Sequence, residues 1–597
     1  MMSIMVTEPH EISTADDARQ PSGESAAPPA PPPRRGGGQL LIVGAGPTGL
    51  ALACRCTQLG LDTRLIDRKA GPTATSNAIG LQYRISELLA AMGVVDRFIQ
   101  ESCTPSAVNL YLGERKLLQV GFHPELGDAG AGGAFQPCSL LIPQSRTEAL
   151  LGDFLRELGG RAVEWSTELV EHTQSAGSVQ ARLRHASGAE EEWRGSWLVS
   201  CEGAHSRIRA QAGIEFRGQS YAQHFLLADF DLGSESLLAQ SEVSLWLHPQ
   251  GSVALMPLPT MNVWRFFAEI TAPAWHGEPS QAEIWGQVQE VLSQRVPHAE
   301  RFAAAQPRWA SQFRIHRRLA DHFRRDRVFL AGDAAHLHSF TGGQGIATGI
   351  QDAFNLAWKL ARVSGGAADG LLDTYEEERR PQAQAVLRQT DQIIRLFTAT
   401  RPPASWIREW LVLPILRLPS LQKRFFGRFA QLHVSYRGTR LAVDETSFVH
   451  RAVSGCRSGD RTPDVALRHA ETGNDWTLLN ALRLGRPVVL LGTLPDSPPE
   501  IGHDALLRAL DRLEIESYRV VAADSPPASD RTRVLIDVHG DWRRLYPLHG
   551  DFLCLVRPDA HLGLIQQHLD IPRLRRYLRS LCSEAAVVAA FAGLGAS

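Results

Sequence analysis

Gly44-Ala45-Gly46-Pro47-Thr48-Gly49 is a G-x-G-x-x-G that follows an apolar run, Gln39 to Val43, and opens a helical stretch, Pro47 to Leu59. The spacing gives each glycine a task. Gly44 permits a tight turn, Gly46 lets a pyrophosphate approach the backbone, and Gly49 lets helix and strand pack closely. Pro47 and Thr48 fall at the helix N-terminus, whose free N–H groups and partial positive charge suit phosphate. Asp67, with Arg68 beside it, closes the next strand-like run, Thr63 to Ile66, where a carboxylate can take ribose hydroxyls. The glycines alone are a weak signal, but strand, helix, strand and acid together point to a dinucleotide site.

A second block lies past the middle of the chain. Arg327 to Ala331 reads as a buried strand that ends in Gly332-Asp333, followed by Ala334-Ala335-His336. Thr341-Gly342-Gly343-Gln344-Gly345-Ile346 then opens an apolar helix running to Ala361. An aspartate at a strand's carboxyl end can hold the sugar-like chain of a flavin. A glycine-rich helix start directs N–H groups at the carbonyl edge of the ring, where reduction places negative charge.

These turns need elements to hold them. The first strand–helix–strand unit must be parallel and right-handed. Arg84 to Phe98 carries Ile85, Leu88, Leu89 and Met92 at helical spacing. Val108 to Val120 reads as extended, Ser139 to Ile142 as a short strand, and Arg146 to Leu158 as a helix. From Phe216 to Phe313 strand-like pieces such as Val243 to Leu247 and Trp264 to Ile270 alternate with loops and one helix. The expected organisation is a tail over residues 1–38 and a nucleotide-binding domain over 39–105, 139–215 and 326–395. A sheet domain over 106–138 and 216–325 is interleaved with it. A helical linker covers 396–435, and a small α/β domain covers 436–597. The linker mixes Trp406, Trp410, Leu413, Phe425 and Phe426 with Arg and Lys. That blend suits a membrane surface, although packing against the body or a second subunit is the preferred reading.

Composition narrows the classes. With 597 residues the chain exceeds one core, and its 44% apolar and 21% charged content is that of a globular protein. A net charge of -2, with Arg and Lys scattered, argues against nucleic acid as a partner. The eight cysteines include no C-x-x-C, no zinc pattern and no disulfide framework, which suits a reducing cytoplasm. No apolar run reaches the roughly 20 residues of a membrane span. The acidic, proline-rich N-terminus lacks the basic and apolar regions of a secretory signal and reads as disordered.

Taken together, the two blocks resemble the flavin-dependent aromatic hydroxylases of the para-hydroxybenzoate hydroxylase type, above all the longer members acting on polyketides and phenols. The resemblance spans Leu40 to Leu396 and the C-terminal domain. Cys201-Glu202-Gly203 with Ser206, Arg207 and Arg209 matches a third family motif, which in the family touches flavin and has been linked to the nicotinamide. Smaller matches are Gln144 with Glu148, Arg379-Arg380-Pro381, Val434-Ser435-Tyr436, Gly459 to Asp464, and Val556-Arg557-Pro558-Asp559. The resemblance implies a Rossmann-like FAD-binding domain interleaved with a β-sheet substrate domain, plus a thioredoxin-like α/β tail. It implies FAD held by Gly44, Gly46, Pro47, Thr48, Gly49, Asp67, Arg68, Gln144, Asp333, Gly343, Gln344, Gly345 and Ile346. It further implies NADPH or NADH as reductant, with oxygen added at flavin C4a and delivered from the hydroperoxide to an electron-rich ring. No metal or nucleophilic triad is required.

Four positions depart from the family: Glu202 stands where Asp is usual, Asn77 for Arg, Phe340 for Pro, and Ala347 for Asn. Losing that Asn removes an amide that could bond the flavin, a net loss of about 1 kcal/mol. Tyr221, His224, Trp246 and Arg265, with His248 and Phe267, lie in the insertion expected to roof the active site, where a base would help deprotonate a phenol. Three other readings stay open: Baeyer–Villiger-type oxygenation, a flavin dehydrogenase or reductase without oxygen insertion, and a non-catalytic binding protein. A homodimer is compatible with all of them.

Overall fold

A computed structural model describes residues 40–73, 78–121, 135–232, 239–270, 279–337, 344–397, most of 404–446, 456–492, 503–523, 533–546 and most of 552–594. The chain begins with β1 (Leu40–Val43), α1 (Pro47–Gln58), β2 (Thr63–Ile66), α2 (Tyr83–Met92) and α3 (Val95–Gln100). Next come β3 (Ala107–Leu112), β4 (Arg115–Gly121), α4 (Gln144–Glu157), β5 (Glu168–Gln174), β6 (Val179–Arg184), β7 (Glu190–Gly195), β8 (Trp197–Ser200) and α5 (Arg207–Gln211). β9 (Phe216–Asp231), β10 (Glu242–Leu247), β11 (Val253–Pro257), β12 (Val263–Ile270), α6 (Gln281–Arg295) and β13 (Gln306–Ala320) follow. β14 (Arg324–Arg325), β15 (Val328–Leu330), β16 (His336–Leu337), α7 (Gln344–Ser364) and α8 (Asp373–Phe397) close this part.

The first sheet has the order β14-β15-β8-β1-β2, with β15, β8, β1 and β2 parallel. β1 and β8 are buried at every residue, because helices cover both faces of a parallel sheet. An eight-stranded sheet, β16-β13-β9-β12-β11-β10-β3-β4, stands beside it. α6 covers one of its faces, where Ile284, Val288 and Leu292 pack on Leu226, Phe230, Trp264 and Phe266. β5–β7 form a separate meander that the sequence did not suggest.

Three local expectations change. The helix read from Arg84 to Phe98 is two helices, because Gly93 takes φ +86° and ends α2 in the left-handed region. Ser139 to Ile142 is not a strand but makes single bridges, Leu140 to Leu81 and Leu141 to Cys103. The helical linker read over 396–435 is broken among the described residues: its helical pieces include Ala404–Ile407 and Leu413–Ile415, and Pro414 has no N–H to give to a helical bond.

The C-terminal unit holds a third large sheet. Its strands are β17 (Val443–Glu445), β18 (Ala466–His469), β19 (Asp475–Thr477), β20 (Val488–Gly492), β21 (Glu516–Ala522), β22 (Val534–Asp537), β23 (Phe552–Val556) and β24 (Leu562–Gln566). β20, β21 and β22 run parallel, and the β23–β24 hairpin returns antiparallel beside β20. Charges, not only apolar contacts, bind this unit to the first part. Glu378 of α8 accepts from both terminal nitrogens of Arg557 (2.6 and 2.7 Å), from Lys359 Nζ (2.7 Å) and from Asn355 Nδ2 (2.8 Å). Arg557 also donates to Asp559 at 2.6 Å, and none of these five residues is more than 2% exposed. Burial opposes charge on Glu378, but Arg557 and Lys359 outweigh it and hold its pKa down at about 2. Burial also lowers Lys359, to about 8, against the pull of Glu378. A second bridge joins Arg461 to Glu87 at 2.6 Å.

Candidate active site

Three turns leave the carboxyl edge of one sheet. Val43, Ser200 and Leu330 share a register across β1, β8 and β15, so Gly44, Cys201 and Ala331 follow side by side. Gly44 has φ +106°, and a Cβ there would stand 2.3 Å from the Cys201 carbonyl oxygen. A Cβ at Gly49 would stand 1.9 Å from the Gly44 carbonyl oxygen. At Gly46 the same atom would meet nothing within 4 Å. Two glycines are therefore required by the protein's own packing, and the middle one faces open space. Asp67 is fixed at the end of β2: its Oδ2 accepts from Ala45 N–H at 2.8 Å and its Oδ1 from Lys69 N–H at 2.9 Å. Each carboxylate oxygen keeps a further lone pair for a hydroxyl. Arg68 is exposed beside it.

Thr48 locks the first turn to the second. A Cβ at Gly332, whose φ is +62°, would stand 2.6 Å from Thr48 Oγ1, and one at Gly349 of α7 would stand 2.2 Å from it. Two missing side chains thus admit α1 between β15 and α7. Asp352, one turn further along α7, organises the Gly332 turn. It accepts from Gly332 N–H at 3.0 Å, pairs with His336 Nε2 at 2.6 Å, and takes Arg379 Nε at 2.7 Å. Burial opposes its charge, but His336 and Arg379 prevail and keep its pKa below the ordinary range. Arg379 donates onward to Tyr436 Oη at 3.0 Å, and the Tyr436 ring lies 4.2 Å from that of His561. The matches at Arg379 and Tyr436 therefore act together, as a brace behind the turn.

Asp333 projects from that turn with its side chain exposed. Protein crowds it closely enough that lost hydration raises its pKa, with His336 opposing and Asp352 adding. Gln344, the first residue of α7, is fully buried, yet its side-chain amide nitrogen and oxygen have no hydrogen-bond partner. A Cβ at Gly345 would meet nothing within 4 Å, and Ile346 is half-buried against the core. Gly343 and Phe340 lie outside the described residues, as does Asn77. Gln144 opens α4 and donates from Nε2 to Glu148 at 2.8 Å. Ala347 is fully buried in the core. The third block supports the same edge. Glu202 Oε2 accepts from Ser200 Oγ, Ser206 Oγ and Ile208 N–H, and Arg209 donates to the Ala334 carbonyl at 2.9 Å. Glu202 thus joins Ser206 in capping α5.

These features fit FAD. An open glycine stands between two crowded ones, acids end two strands, and an orphaned buried amide sits at a helix N-terminus, where phosphate, hydroxyl and ring-edge groups would find partners.

The substrate candidates divide by strand alternation. On the face opposite α6 stand Phe225, Leu227, Phe267 and Phe313, with Met256 and Trp309 against them. The Phe225 and Phe267 rings stack at 5.3 Å. This face turns toward the nucleotide-binding unit, since Met256 and Val243 also pack with Ile79 and Leu141. Arg265 lies on it but is fully buried, donating to both Asp229 oxygens at 2.7 Å, while Trp309 Nε1 adds a bond to Asp229 at 2.8 Å. Trp246 is on the other face, packed in the α6 core and stacked on Tyr111 at 5.3 Å. His224 shares the α6 side, held by Gln312 at 2.7 Å and Arg314 at 3.1 Å. Both therefore point away from the sheet's inner face, and Arg265 is engaged within the protein. The Tyr221 side chain is outside the described residues. Phe225, Leu227, Asp229 and Trp309 were not singled out from sequence.

Residues 38–390 match the protein-family model described as "FAD binding domain". A flavin-dependent monooxygenase of Mycobacteroides abscessus is 32% identical over 499 residues, covering 81% of this chain and 97% of that protein. The 6-methylpretetramide 4-monooxygenase of Streptomyces rimosus is 33% identical over 502 residues, covering 79% of this chain and 86% of that enzyme. Among solved structures, an anhydrotetracycline hydroxylase from Streptomyces rimosus gives a TM-score of 0.68 at 27% identity, covering 91% of this chain and 99% of that one.

Proposed function

Because the chain belongs to the FAD-binding-domain family of flavin-dependent monooxygenases, we propose that it hydroxylates an aromatic or polyketide-like small molecule. NADPH or NADH is the reductant and molecular oxygen the co-substrate. The observation that carries this reading is the meeting of two surfaces: one edge with three ligand-shaped turns, and an aromatic sheet face turned toward it. When bound, FAD supplies the electron transfer and oxygen activation. The protein's own residues bind, orient and exclude water. Gly46 admits a diphosphate to the N–H groups of α1, Asp67 takes ribose hydroxyls, and Asp333 takes the flavin's sugar-like chain. Gln344, Gly345 and Ile346 present the positive end of α7 to the polar edge of the ring. Phe225, Leu227, Phe267 and Phe313 seat a flat apolar substrate and keep water out. Arg265 and Asp229 neutralise one another within that face, which therefore suits a neutral ring better than a carboxylate.

We read the C-terminal unit as thioredoxin-like, supported by its parallel strands beside an antiparallel hairpin. Without a C-x-x-C its role is to brace, not to exchange disulfides. We place the enzyme in the cytoplasm, where reduced nicotinamide is regenerated. The purified protein should be yellow, and phenolic or polyketide candidates should speed NAD(P)H oxidation with oxygen uptake. The product should carry one new ring hydroxyl, located by its structure and not by mass alone. A colourless protein unable to take up FAD would overturn the reading, and so would turnover that needs another acceptor in place of oxygen.

A further inference from the structure

Six of the ten large apolar side chains exposed among the described residues lie in one stretch: Trp406, Ile407, Trp410, Ile415, Leu418 and Leu421. Trp410 is 81% exposed and Trp406 63%. The stretch is not loosely attached. Leu413 is buried against Leu110, Leu117, Leu118 and Val120 of the β3–β4 hairpin, and Arg417 donates to the Leu117 carbonyl at 2.8 Å. Farther on, Ala430 and Leu432 pack on Tyr83. The outward side chains are therefore presented by an anchored strap.

Charge indicates what covers them. From Arg401 to Arg428 the sequence carries six cations, Arg401, Arg408, Arg417, Lys423, Arg424 and Arg428, against the single acid Glu409. The whole chain has a net charge of -2, so this excess is local. Tryptophan and aliphatic groups set among cations match an anionic lipid surface, where indole rings settle at headgroup level and cations meet phosphate. A second copy fits less well, because a two-fold contact would set this cation-rich stretch of sequence against itself.

We propose that the strap around Trp406 to Leu421 is a peripheral docking surface for an anionic bilayer. No helix among the described residues is long and apolar enough to span a membrane. The strap sits on the β3–β4 edge of the substrate sheet, so, on the hydroxylase reading, docking brings the substrate-binding side near a phase that concentrates apolar ring compounds.

The test uses the full FAD-loaded chain with vesicles of phosphatidylcholine alone or mixed with phosphatidylglycerol, separated by sedimentation. The expected result is binding to the anionic vesicles only, weakened by added salt. A Trp406→Ser, Trp410→Ser double variant should bind roughly tenfold less, and Lys423→Gln with Arg424→Gln should weaken binding by a similar factor. Flavin absorbance and NAD(P)H oxidation, followed in parallel, report separately on the hydroxylase reading. No binding to anionic vesicles by a yellow, active protein overturns the docking surface alone, as does undiminished binding by the tryptophan variant. A dimer that becomes monomeric in that variant, with vesicles ignored throughout, assigns the strap to a second copy instead.

Discussion

The edge that carries the glycine turns and the inner face of the eight-stranded sheet are turned toward one another but are built in opposite ways. The edge is made from backbone: glycines lacking a Cβ, helix N-termini, and acids fixed by main-chain N–H groups, all within short runs of sequence. The face is made from side chains taken at every second residue of β9, β11, β12 and β13. At Gly44 and Gly49 an added methyl collides with main chain, whereas at Gly46 it enters only the open space beside the turn. A side-chain face can be altered one ring at a time.

The contrast breaks most sharply at Gly49. Gly49→Val should yield no folded flavoprotein, judged by soluble yield and absorbance, since a Cβ there overlaps the Gly44 carbonyl. Gly46→Ala, where the added carbon meets only open space, should keep its melting temperature while FAD affinity falls at least about tenfold in a titration. Equal loss of fold in both variants would erase the distinction. Next in size is the junction with the C-terminal unit. Arg557→Met leaves Glu378 and Asp559 buried together, and denaturant unfolding should register a loss of about 3–5 kcal/mol. Phe267→Ala should cost less than about 3 kcal/mol, because its ring borders the site and not a closed core. Its signature should be a KM raised about tenfold with the flavin spectrum unchanged.

A further case concerns a family-matched residue remote from both regions. Asp464 accepts from Leu479 N–H at 3.1 Å, and burial raises its pKa to about 7. Its unfolded pKa is about 3.9. Between these values the native state holds the proton that the unfolded chain has lost, so stability falls as pH rises from about 4 to about 7 and is level above. Asp464→Asn removes that slope. Its melting temperature should match the parent near the bottom of the window and exceed it at neutral pH, with no change in turnover.

The same contrast explains what could be read from the sequence. Gly44, Gly49, Asp67 and Gly332-Asp333 were legible because backbone geometry demands particular residues at fixed local spacing. The Glu202 cap was hidden, since only the fold shows the longer acid reaching three donors. His224 and Trp246 were assigned to the pocket by chemical type, whereas alternation sends them to the α6 side. On β9 every residue from His224 to Phe230 is buried, on both faces, so its sequence lacks the polar–apolar alternation that would have told one side from the other. Asp352 was missed for a related reason: inside a helix it has no neighbouring motif, and its partners Gly332, His336 and Arg379 come from three other elements.

The relay from Asp352 through Arg379 to Tyr436 bears on how this gene can be cut. A fragment ending before Tyr436 would strand the Arg379 guanidinium behind the turn that carries Asp333, and would leave Glu378 and Lys359 buried without Arg557. The last quarter of the chain, from Tyr436 on, is therefore a keystone and not a removable module. Chimeras between relatives should exchange α7, α8 and the C-terminal sheet as one block.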